Sequence, residues 1–320
     1  MERLPRYSAL IEQAINSLNL PSGTLSGLYE PIAYGLDTGG KRLRPLLALI
    51  AGTSMNASIE QVMPAALAIE MFHNFTLIHD DVMDNSDTRR GKPSVRKQWD
   101  VNTAILSGDT LYGLAYNQIL KLPDCCLHRA LKCFNDTAIE VFEGQQYDMD
   151  FEKRNDVSLP EYIEMIRLKT SVLLGGAAML GAIAAGASDS EAKAWYNYGE
   201  SLGLAFQIQD DLLDVYGDPA TFGKPIGGDI LNSKKTFLTL SALSTNAADD
   251  LQKALEMPPS ETKITIVRNI YDSIDIQSVC NKAIEKYTTQ AVASLAEIPL
   301  QDNDREMLTT LAQKLAHRNK

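Results

Sequence analysis

The chain has 320 residues, of which 45% are hydrophobic and 22% charged, the composition of an ordinary soluble globular protein with a substantial core. Its formal charge of −11 argues against nucleic acid or an anionic membrane as a partner. If the ligand is itself an anion, metal ions or a local basic patch must overcome this average negative field.

Helical periodicity dominates the chain, and proline and glycine separate the periodic segments. We predict an all-α protein with helices at residues 6–19, 26–37, 43–55, 58–84, 101–121, 127–150, 160–187, 190–215, 232–244, 247–256, 261–272, 276–297 and 302–317. Alternating β-branched segments are essentially absent, apart from residues 264–267. Several helices exceed 20 residues and no low-complexity linker divides the chain, so we expect one domain over residues 1–320, a single large helical bundle.

Targeting, redox and membrane signals are weak. Residues 1–6 lead into no apolar core and no small-residue cleavage site, so no signal peptide is expected. The four cysteines lack CxxC spacing and fit a reduced, cytoplasmic setting; Cys126, His128 and Cys133 could join a zinc site, but a fourth ligand is not evident. The most apolar run, residues 172–187, is short for a membrane span and favours a tightly packed interior helix.

An aspartate cluster, Asp80-Asp81-Val82-Met83-Asp84, lies in the helix predicted over 58–84 and recurs 130 residues later as Asp210-Asp211-Leu212-Leu213-Asp214. The first and fifth positions share one helix face about 6 Å apart, so each cluster contains a like-charge pair that destabilises an isolated helix. Divalent cations held by carboxylate oxygens are the natural compensation. Solvated helix faces are the plain alternative, but the apolar flanks argue against it. Neither the Glu-x-x-His pairs of a di-iron bundle nor the spacing of an EF-hand is present.

Basic residues accompany both clusters. Three cations fall within residues 41–44, and five lie between Asn85 and Lys97 against one acid, Asp87. Lys169 starts the most apolar run, a costly position without an anionic partner. Lys224 and the Lys234-Lys235 pair lie in or just after the Gly-rich residues 216–233, where a closing lid or a plain connector would sit. Phosphate bridged by Mg²⁺ and held by these cations would form one coherent site.

In combination these motifs resemble the trans-type isoprenyl (polyprenyl) diphosphate synthase family, over about residues 35 to 240. The matching segments are 40–45, 77–84, 89–93, 169–170, 206–214, 223–225 and 227–236, and residues 233 and 235 depart slightly from the family pattern. The resemblance implies an antiparallel isoprenoid synthase-like bundle with a central active-site cavity, a homodimer, and Mg²⁺, three ions once substrate is bound. It also implies a prenyltransferase that condenses isopentenyl diphosphate with a C5, C10 or C15 allylic diphosphate, releasing diphosphate.

The resemblance also assigns residues by position. Metal ligation falls to Asp80, Asp84 and Asp210, with Asp81, Asp211 and Asp214 as further or indirect members. The allylic diphosphate falls to Arg89, Lys169, Thr170, Gln207, Lys224 and Lys234, and isopentenyl diphosphate to Lys41, Arg44, His73 and Arg90. The six aspartates, Lys169 and Lys224 are the expected catalytic groups. Helix geometry independently places His73 on the face of Asp80, about 10 Å away.

Product length is expected to depend on residues that precede the first cluster. The family lines its tunnel floor with the positions of Phe75 and Thr76, and Phe72 lies one turn below Phe75. A bulky ring beside a small residue predicts a C15 or C20 product, whereas ordinary core packing of both rings is the alternative. The rival functions are a longer-chain synthase, a terpene cyclase, which needs no second diphosphate pocket, and a non-catalytic regulatory subunit, which usually loses a metal motif.

Overall fold

A computed structural model describes residues 3–218 and 226–316. The long helices are α1 (Arg3–Asn16), α2 (Ser26–Asp37), α3 (Leu43–Ser54), α4 (Ile59–Met83), α6 (Val101–Ile119), α7 (Asp124–Lys153), α9 (Val172–Ala184), α10 (Asp189–Tyr216), α14 (Glu261–Ser273), α15 (Ile276–Ser294) and α16 (Asp302–Ala316). The short helices are α5 (Val95–Gln98), α8 (Leu159–Ile166), α11 (Gly228–Leu231), α12 (Phe237–Leu243) and α13 (Ala248–Leu255), with a π-helical turn at Arg167–Ser171 and a 3₁₀ turn at Leu295–Glu297. The all-α prediction is confirmed.

The contacts divide the chain into two compact units. The first unit comprises Met1–Ala138 with Gly176–Trp195, and the second comprises Ile139–Gly175 with Tyr196–Lys320. Helices α7, α9 and α10 contribute residues to both units. The expectation of one domain stays a prediction.

In the first unit, α4 packs against α3 and α6. Ser58 begins α4 because its hydroxyl accepts a hydrogen bond from the Gln61 amide at 3.2 Å, satisfying a backbone donor that the helix leaves open. Much of α4 is buried, including Ile69 and Phe72, so its sequence is apolar on most faces rather than on one stripe. The C-terminal part of α9 also belongs to this core, and a side chain at Gly181 would overlap the Ala48 backbone.

The second unit is built on the end of α7 and on α8, α10 and the helices that follow. Its core contains Tyr162 of α8, Ile208 of α10, Leu238 of α12, and Val267 and Tyr271 of α14. The hydroxyl groups of Thr239 and Tyr271 lie 3.0 Å apart, so both buried polar tips are satisfied.

Four local predictions need correction. The helix predicted over 160–187 is interrupted by the π turn, and the one predicted over 232–244 is wrong in its first half. There α11 ends at Leu231, and Thr236 begins α12 by accepting from the Thr239 amide at 3.4 Å. A small hairpin, β1 (Thr88–Arg89) with β2 (Lys92–Pro93), was not predicted, because its strands are too short to show an alternating pattern. Helix α5 was missed for the same reason of length.

One described stretch, Leu159–Ala184, has the length and hydropathy to cross a membrane. Within its most apolar window, 78% of the residues are buried inside the protein. Because a membrane-spanning helix would turn much of that surface toward lipid, the burial identifies a core helix, as predicted for residues 172–187.

Candidate active site

The first aspartate cluster lies on the last turn of α4. Helix α4 ends at Met83; the Asp84 amide donates to the Asp80 carbonyl at 2.8 Å, and Asn85 takes a left-handed backbone conformation at φ 52°. A helix C-terminus carries partial negative charge, so carboxylates at this end are electrostatically unfavourable. The position of the cluster therefore favours a bound cation more strongly than the like-charge spacing alone.

Asp81 is more deeply buried than Asp80 and Asp84, and it pairs with an arginine. Its Oδ1 accepts from Arg89 Nε at 3.0 Å and from Arg89 Nη2 at 2.5 Å. Burial raises the pKa of Asp81, whereas the Arg89 guanidinium opposes that change. The two-residue turn of Arg90 (φ 52°) and Gly91 (φ 76°) closes the β1–β2 hairpin and carries Arg89 back over α4.

A basic pocket forms in the first unit from α3, α4 and the hairpin. Arg44 Nη1 lies 3.0 Å from His73 Nε2, and Arg90 donates to the Gly39 carbonyl. Burial lowers the pKa of Arg44 to about 10, although Glu70 opposes this, and burial likewise lowers the pKa of Arg90. Burial, with Arg44 and Arg90 nearby, holds the pKa of His73 well below its usual value. The pocket therefore holds two guanidinium groups around a neutral imidazole.

One atom of this pocket is suited to bind an anion. Within residues 3–218 and 226–316, the buried Arg44 Nε has no hydrogen-bond partner. A buried guanidinium nitrogen without an acceptor is costly, and an anionic ligand would satisfy it. Lys41, predicted for the same ligand, is exposed at the start of this segment.

Arg42, between those two residues, has a structural function instead. Its guanidinium is buried, donating to Glu12 at 2.8 Å, to Glu70 at 2.6 Å and to the Leu36 carbonyl at 2.6 Å. The left-handed backbone of Arg42 (φ 46°) turns it away from its neighbours. Only part of the basic run is therefore available to a ligand, and Glu70 was not identified from the sequence.

The predicted product-length residues belong to an aromatic cluster in the first unit. Phe75 stacks on Tyr112 of α6, with centroids 5.0 Å apart and planes at 12°, and Phe72 contacts Tyr112 and Phe134 at 5.5 and 5.7 Å. The Tyr112 and Tyr116 hydroxyls lie 3.2 Å apart. Thr76 donates its hydroxyl to the His73 carbonyl at 2.8 Å. Tyr112 was missed because α6 carries no motif around it.

The second aspartate cluster lies near the C-terminal end of α10, in the second unit. Asp211 is buried and accepts hydrogen bonds from the Tyr162 hydroxyl, from the Phe237 amide at 3.0 Å and from Gln207 Nε2 at 3.2 Å. Burial raises the pKa of Asp211 to about 7, even though the Tyr162 and Phe237 donors favour the ionised carboxylate. Asp211 thus connects α8, α10 and α12, whereas Asp210 and Asp214 are only partly buried.

The backbone just after Ile226 forms hydrogen bonds with Asp214. The Gly227 amide donates to the Asp214 carbonyl at 2.6 Å, and the Asp229 amide donates to Asp214 Oδ2 at 3.0 Å. Lys234 Nζ lies 3.9 Å from Asp229 Oδ1 and remains largely exposed. Asp229 lies in the segment 227–236 that matches the family pattern, but its contact with Asp214 was not predicted.

The π turn carries two further predicted residues. Lys169 Nζ pairs with Asp148 of α7 at 2.5 Å. This carboxylate is the anionic partner that we predicted for a lysine beside the most apolar run. The Thr170 hydroxyl donates to Gln207 Oε1 at 3.3 Å, so Gln207 contacts both Thr170 and Asp211. A Cβ on Gly144 of α7 would come within 2.7 Å of Lys169 Cα, so this glycine permits the close approach of α7 to the turn. π segments are frequent at functional sites.

The donor chemistry fits Mg²⁺. Among the residues that the structure describes, no three His, Cys, Asp or Glu side chains form a complete metal cage. Mg²⁺ does not require one, because it usually takes one or two carboxylates and completes its octahedron with water and substrate phosphate. Lys224 and the middle of the predicted lid, residues 219–225, lie outside the described residues.

Comparison with known proteins gives a consistent result. Residues 26–274 match the sequence model described as polyprenyl synthetase. The chain is 39% identical over 287 residues to a geranylgeranyl diphosphate synthase of Methanosarcina mazei, covering 89% of this chain and 88% of that protein. A crystal structure of geranylgeranyl pyrophosphate synthase superposes with a TM-score of 0.95 at 42% identity over 99% of each chain.

A solved structure with ligands is also similar. The polyprenyl synthase of Caulobacter crescentus, complexed with calcium and isoprenyl diphosphate, superposes with a TM-score of 0.86 at 28% identity. The alignment covers 100% of this chain and 98% of that one. A relative of this fold thus binds a divalent cation together with a prenyl diphosphate.

Proposed function

Because the chain belongs to the polyprenyl synthetase family, we propose that it condenses isopentenyl diphosphate with an allylic diphosphate and releases inorganic diphosphate. It is a prenyltransferase with the all-α isoprenoid synthase fold. The observation that carries the proposal is the presence, in each unit, of an aspartate cluster with cationic groups of its own. Arg44 and Arg90 lie in the first unit with the first cluster, and Lys169 and Lys234 lie in the second unit with the second cluster.

The residue roles follow the chemistry of each group. Asp80, Asp84 and Asp210 would hold Mg²⁺, three ions with substrate bound, and each ion would neutralise diphosphate oxygens and strengthen diphosphate as a leaving group. Asp81, Asp211 and Asp214 would be further or indirect members of the metal site. Arg89 and the amides of Phe237 and Asp229 hold their carboxylates in place. Arg89, Lys169, Thr170, Gln207, Lys224 and Lys234 would bind the allylic diphosphate, and Lys41, Arg44, His73 and Arg90 would bind isopentenyl diphosphate.

The reaction starts when the allylic C–O bond breaks and diphosphate leaves with the bonding electrons. Lys169 and Lys234 would donate hydrogen bonds to the oxygens on which negative charge develops. The isopentenyl double bond then attacks the allylic cation, and loss of one proton gives a chain five carbons longer. A neutral His73 suits this pocket, because it can donate to a diphosphate oxygen without adding a third positive charge beside Arg44 and Arg90.

Product length would be set where the growing chain meets the stacked rings of Phe75 and Tyr112. Both rings lie in one packed aromatic cluster. The floor of the product tunnel would therefore be formed by several rings that hold one another in place. Several relatives are named geranylgeranyl diphosphate synthase and two are named geranylfarnesyl diphosphate synthase. Within the C15–C20 range expected from the sequence, we propose a C20 product.

The protein would act as a homodimer in the cytoplasm. Helix α6 exposes three large apolar side chains near its start, Val101 (43% exposed), Ile105 (40%) and Leu106 (58%). A contiguous apolar patch on a water-facing helix is typical of an interface, and a second copy of this chain would cover it.

A terpene cyclase is the second candidate, since it also ionises a prenyl diphosphate. A cyclase binds no second diphosphate, so it would not use the pocket of Arg44, His73 and Arg90. In that pocket the buried Arg44 Nε has no hydrogen-bond partner among the described residues and could bind an anion. That pocket favours the condensation reaction.

The deciding experiment incubates the protein with Mg²⁺, labelled isopentenyl diphosphate and each of the C5, C10 and C15 starters, and reads chain length by mass spectrometry. We expect elongation of every accepted starter to C20. Cyclic hydrocarbons formed without isopentenyl diphosphate would identify a cyclase. Absence of turnover with all three starters would contradict the proposal.

A further inference from the structure

Lys263 on α14 is a buried lysine far along the chain from both aspartate clusters. Its side chain is 2% exposed, and Nζ donates to Ser233 Oγ and to the Leu255 carbonyl, both at 2.8 Å. Within the described ranges 3–218 and 226–316, no carboxylate pairs with it. A buried ammonium held only by neutral oxygens is costly, so its presence needs a reason beyond packing.

Ser233 is the residue that Lys263 holds, and its backbone is unusual. Its φ of 50° lies in the left-handed region, which side chains other than those of Gly, Asn and Asp seldom adopt. The Ser233 hydroxyl also donates to the Leu255 carbonyl at 2.9 Å, so hydroxyl, ammonium and carbonyl form a closed triangle. This triangle fixes a turn whose backbone alone would prefer another conformation.

The turn leads directly into residues of the second aspartate site. The Lys234 amide donates to the Asp229 carbonyl at 2.9 Å, and Asp229 in turn contacts Asp214. Four residues after Ser233, the Phe237 amide donates to Asp211 at 3.0 Å. A change in the direction of the chain at Ser233 would therefore move Lys234 and disturb two aspartate contacts.

We infer that Lys263 is a positioning residue of the allylic diphosphate site: through Ser233 it holds the left-handed turn that orients Lys234. The inference rests on the proposed function, because it gives Lys234 a diphosphate to bind. It also assigns a function to α13 and α14, which carry no recognised motif.

A substitution at Lys263 tests whether its ammonium group affects binding of the allylic diphosphate. Lys263→Met keeps most of the side-chain volume and removes the ammonium, and we expect the KM for the allylic diphosphate to rise on the order of tenfold, the usual effect of losing an orienting contact. The KM for isopentenyl diphosphate should stay unchanged, since its proposed groups lie in the first unit. A purely structural role would lower the melting temperature and change both constants together, which would overturn the inference.

Two substitutions at Ser233 provide a matched comparison that does not require Lys263 to change. Ser233→Ala and Ser233→Gly both remove the hydroxyl, but only glycine adopts φ 50° without strain. We expect Ser233→Gly to keep a lower allylic KM than Ser233→Ala, and to restore part of the loss when it is combined with Lys263→Met. Equal KM values for the two Ser233 variants would contradict a function through the turn.

A control and a turnover-independent measurement complete the design. Lys282→Met removes an exposed ammonium from α15 with the same change of charge and should leave both KM values unaltered. Calorimetric titration with inorganic diphosphate and Mg²⁺ should show weaker binding by Lys263→Met and recovery in the double variant. If the wild type binds diphosphate but never condenses the prenyl substrates, the proposed function fails while this titration still decides the inference.

Discussion

At the scale of single residues, neighbours with the same charge have different functions. Arg42 and Arg44 are two positions apart, yet Arg42 neutralises Glu12 and Glu70 whereas Arg44 faces His73. The cause is local, because the left-handed Arg42 backbone begins α3 and turns successive side chains to different sides. A run of basic residues in the sequence therefore predicts a basic site, but it does not show which of the cations can bind the ligand.

The first prediction concerns the pH dependence of stability. The pKa of His73 is lowered in the folded protein, so the folded state keeps it neutral while the unfolded state binds a proton below pH about 6.5. Stability is therefore lost as pH falls through that value, by about 1 kcal/mol between pH 7.5 and 5.5 from this residue alone. Urea unfolding should show that the free energy of unfolding of His73→Gln falls less than that of the wild type between pH 7.5 and 5.5. An identical pH slope in both proteins would mean that His73 is protonated when folded.

The second prediction concerns the clusters themselves. Asp80→Ala or Asp210→Ala should lower kcat/KM by roughly 10²–10³-fold or more, since each removes a group that stabilises the departing diphosphate. The melting temperature should hold or rise, because a like charge is removed from a helix. Steady-state kinetics and thermal unfolding measure both effects. Asp136→Ala, which removes an exposed carboxylate from α7, is the control, and normal product formation by Asp80→Ala would contradict the metal assignment.

At the scale of secondary-structure elements, function depends on how closely helices approach. The π turn inserts an extra residue into the hydrogen-bond ladder between α8 and α9 and directs Lys169 toward Asp148 of α7. Gly144 allows α7 to lie against the backbone of that turn. The position of Lys169 therefore depends on the absence of a side chain on another helix.

The third prediction follows from that contact. Gly144→Ala should push α7 away from the π turn, destabilise the protein by about 1–3 kcal/mol and raise the allylic KM. Chemical denaturation and kinetics provide the measurements. Gly27→Ala on α2, where a Cβ would meet no atom within 4 Å, should be neutral or slightly stabilising. If Gly144→Ala and Gly27→Ala have the same stability and the same allylic KM, the π turn tolerates the extra methyl group.

The fourth prediction concerns α4 and α6 together. Phe75→Ala removes one member of the stack with Tyr112 and deepens the tunnel, so products longer than C20 should accumulate. Phe72→Leu, deeper in the same cluster and fully buried, should reduce stability with a smaller change of length. Reversed-phase chromatography resolves the products. An unchanged distribution for Phe75→Ala would leave core packing as the function of this ring.

At the scale of the whole molecule, an acidic protein must bind two polyanions. With a net charge of −11, the average field repels diphosphate, so cations must be concentrated where substrate binds. Part of the basic charge instead pairs with protein carboxylates, as Arg96 and Lys97 do with Asp87. This corrects the expectation that all five cations of residues 85–97 bind the ligand.

The fifth prediction tests assembly. We expect light scattering to give the mass of two chains, with the apolar start of α6 in the interface. Leu106→Glu should shift the protein toward monomer, because a buried glutamate opposite its own copy is unfavourable. Ile139→Glu places the same change at an exposed apolar residue of α7 and serves as the comparison. A wild-type monomer would contradict the dimer.

Residue order alone was enough to establish the helical class, most helix positions and both aspartate clusters. Hydrophobic period and like-charge spacing are local properties that need no knowledge of distant residues. It also led to the family, which the comparisons confirmed.

The partners of each of these groups became evident only from the packing of the helices. Asp148 for Lys169, Tyr162 for Asp211, Tyr112 for Phe75 and Glu70 for Arg42 come from other helices, and no local pattern announces them. The same holds for the left-handed turn at Ser233 and for its anchor Lys263, 30 residues further along the chain. A side chain's neighbours follow from helix packing, which periodicity does not encode. The sequence therefore identified the candidate groups of the site, and packing determined their partners and burial.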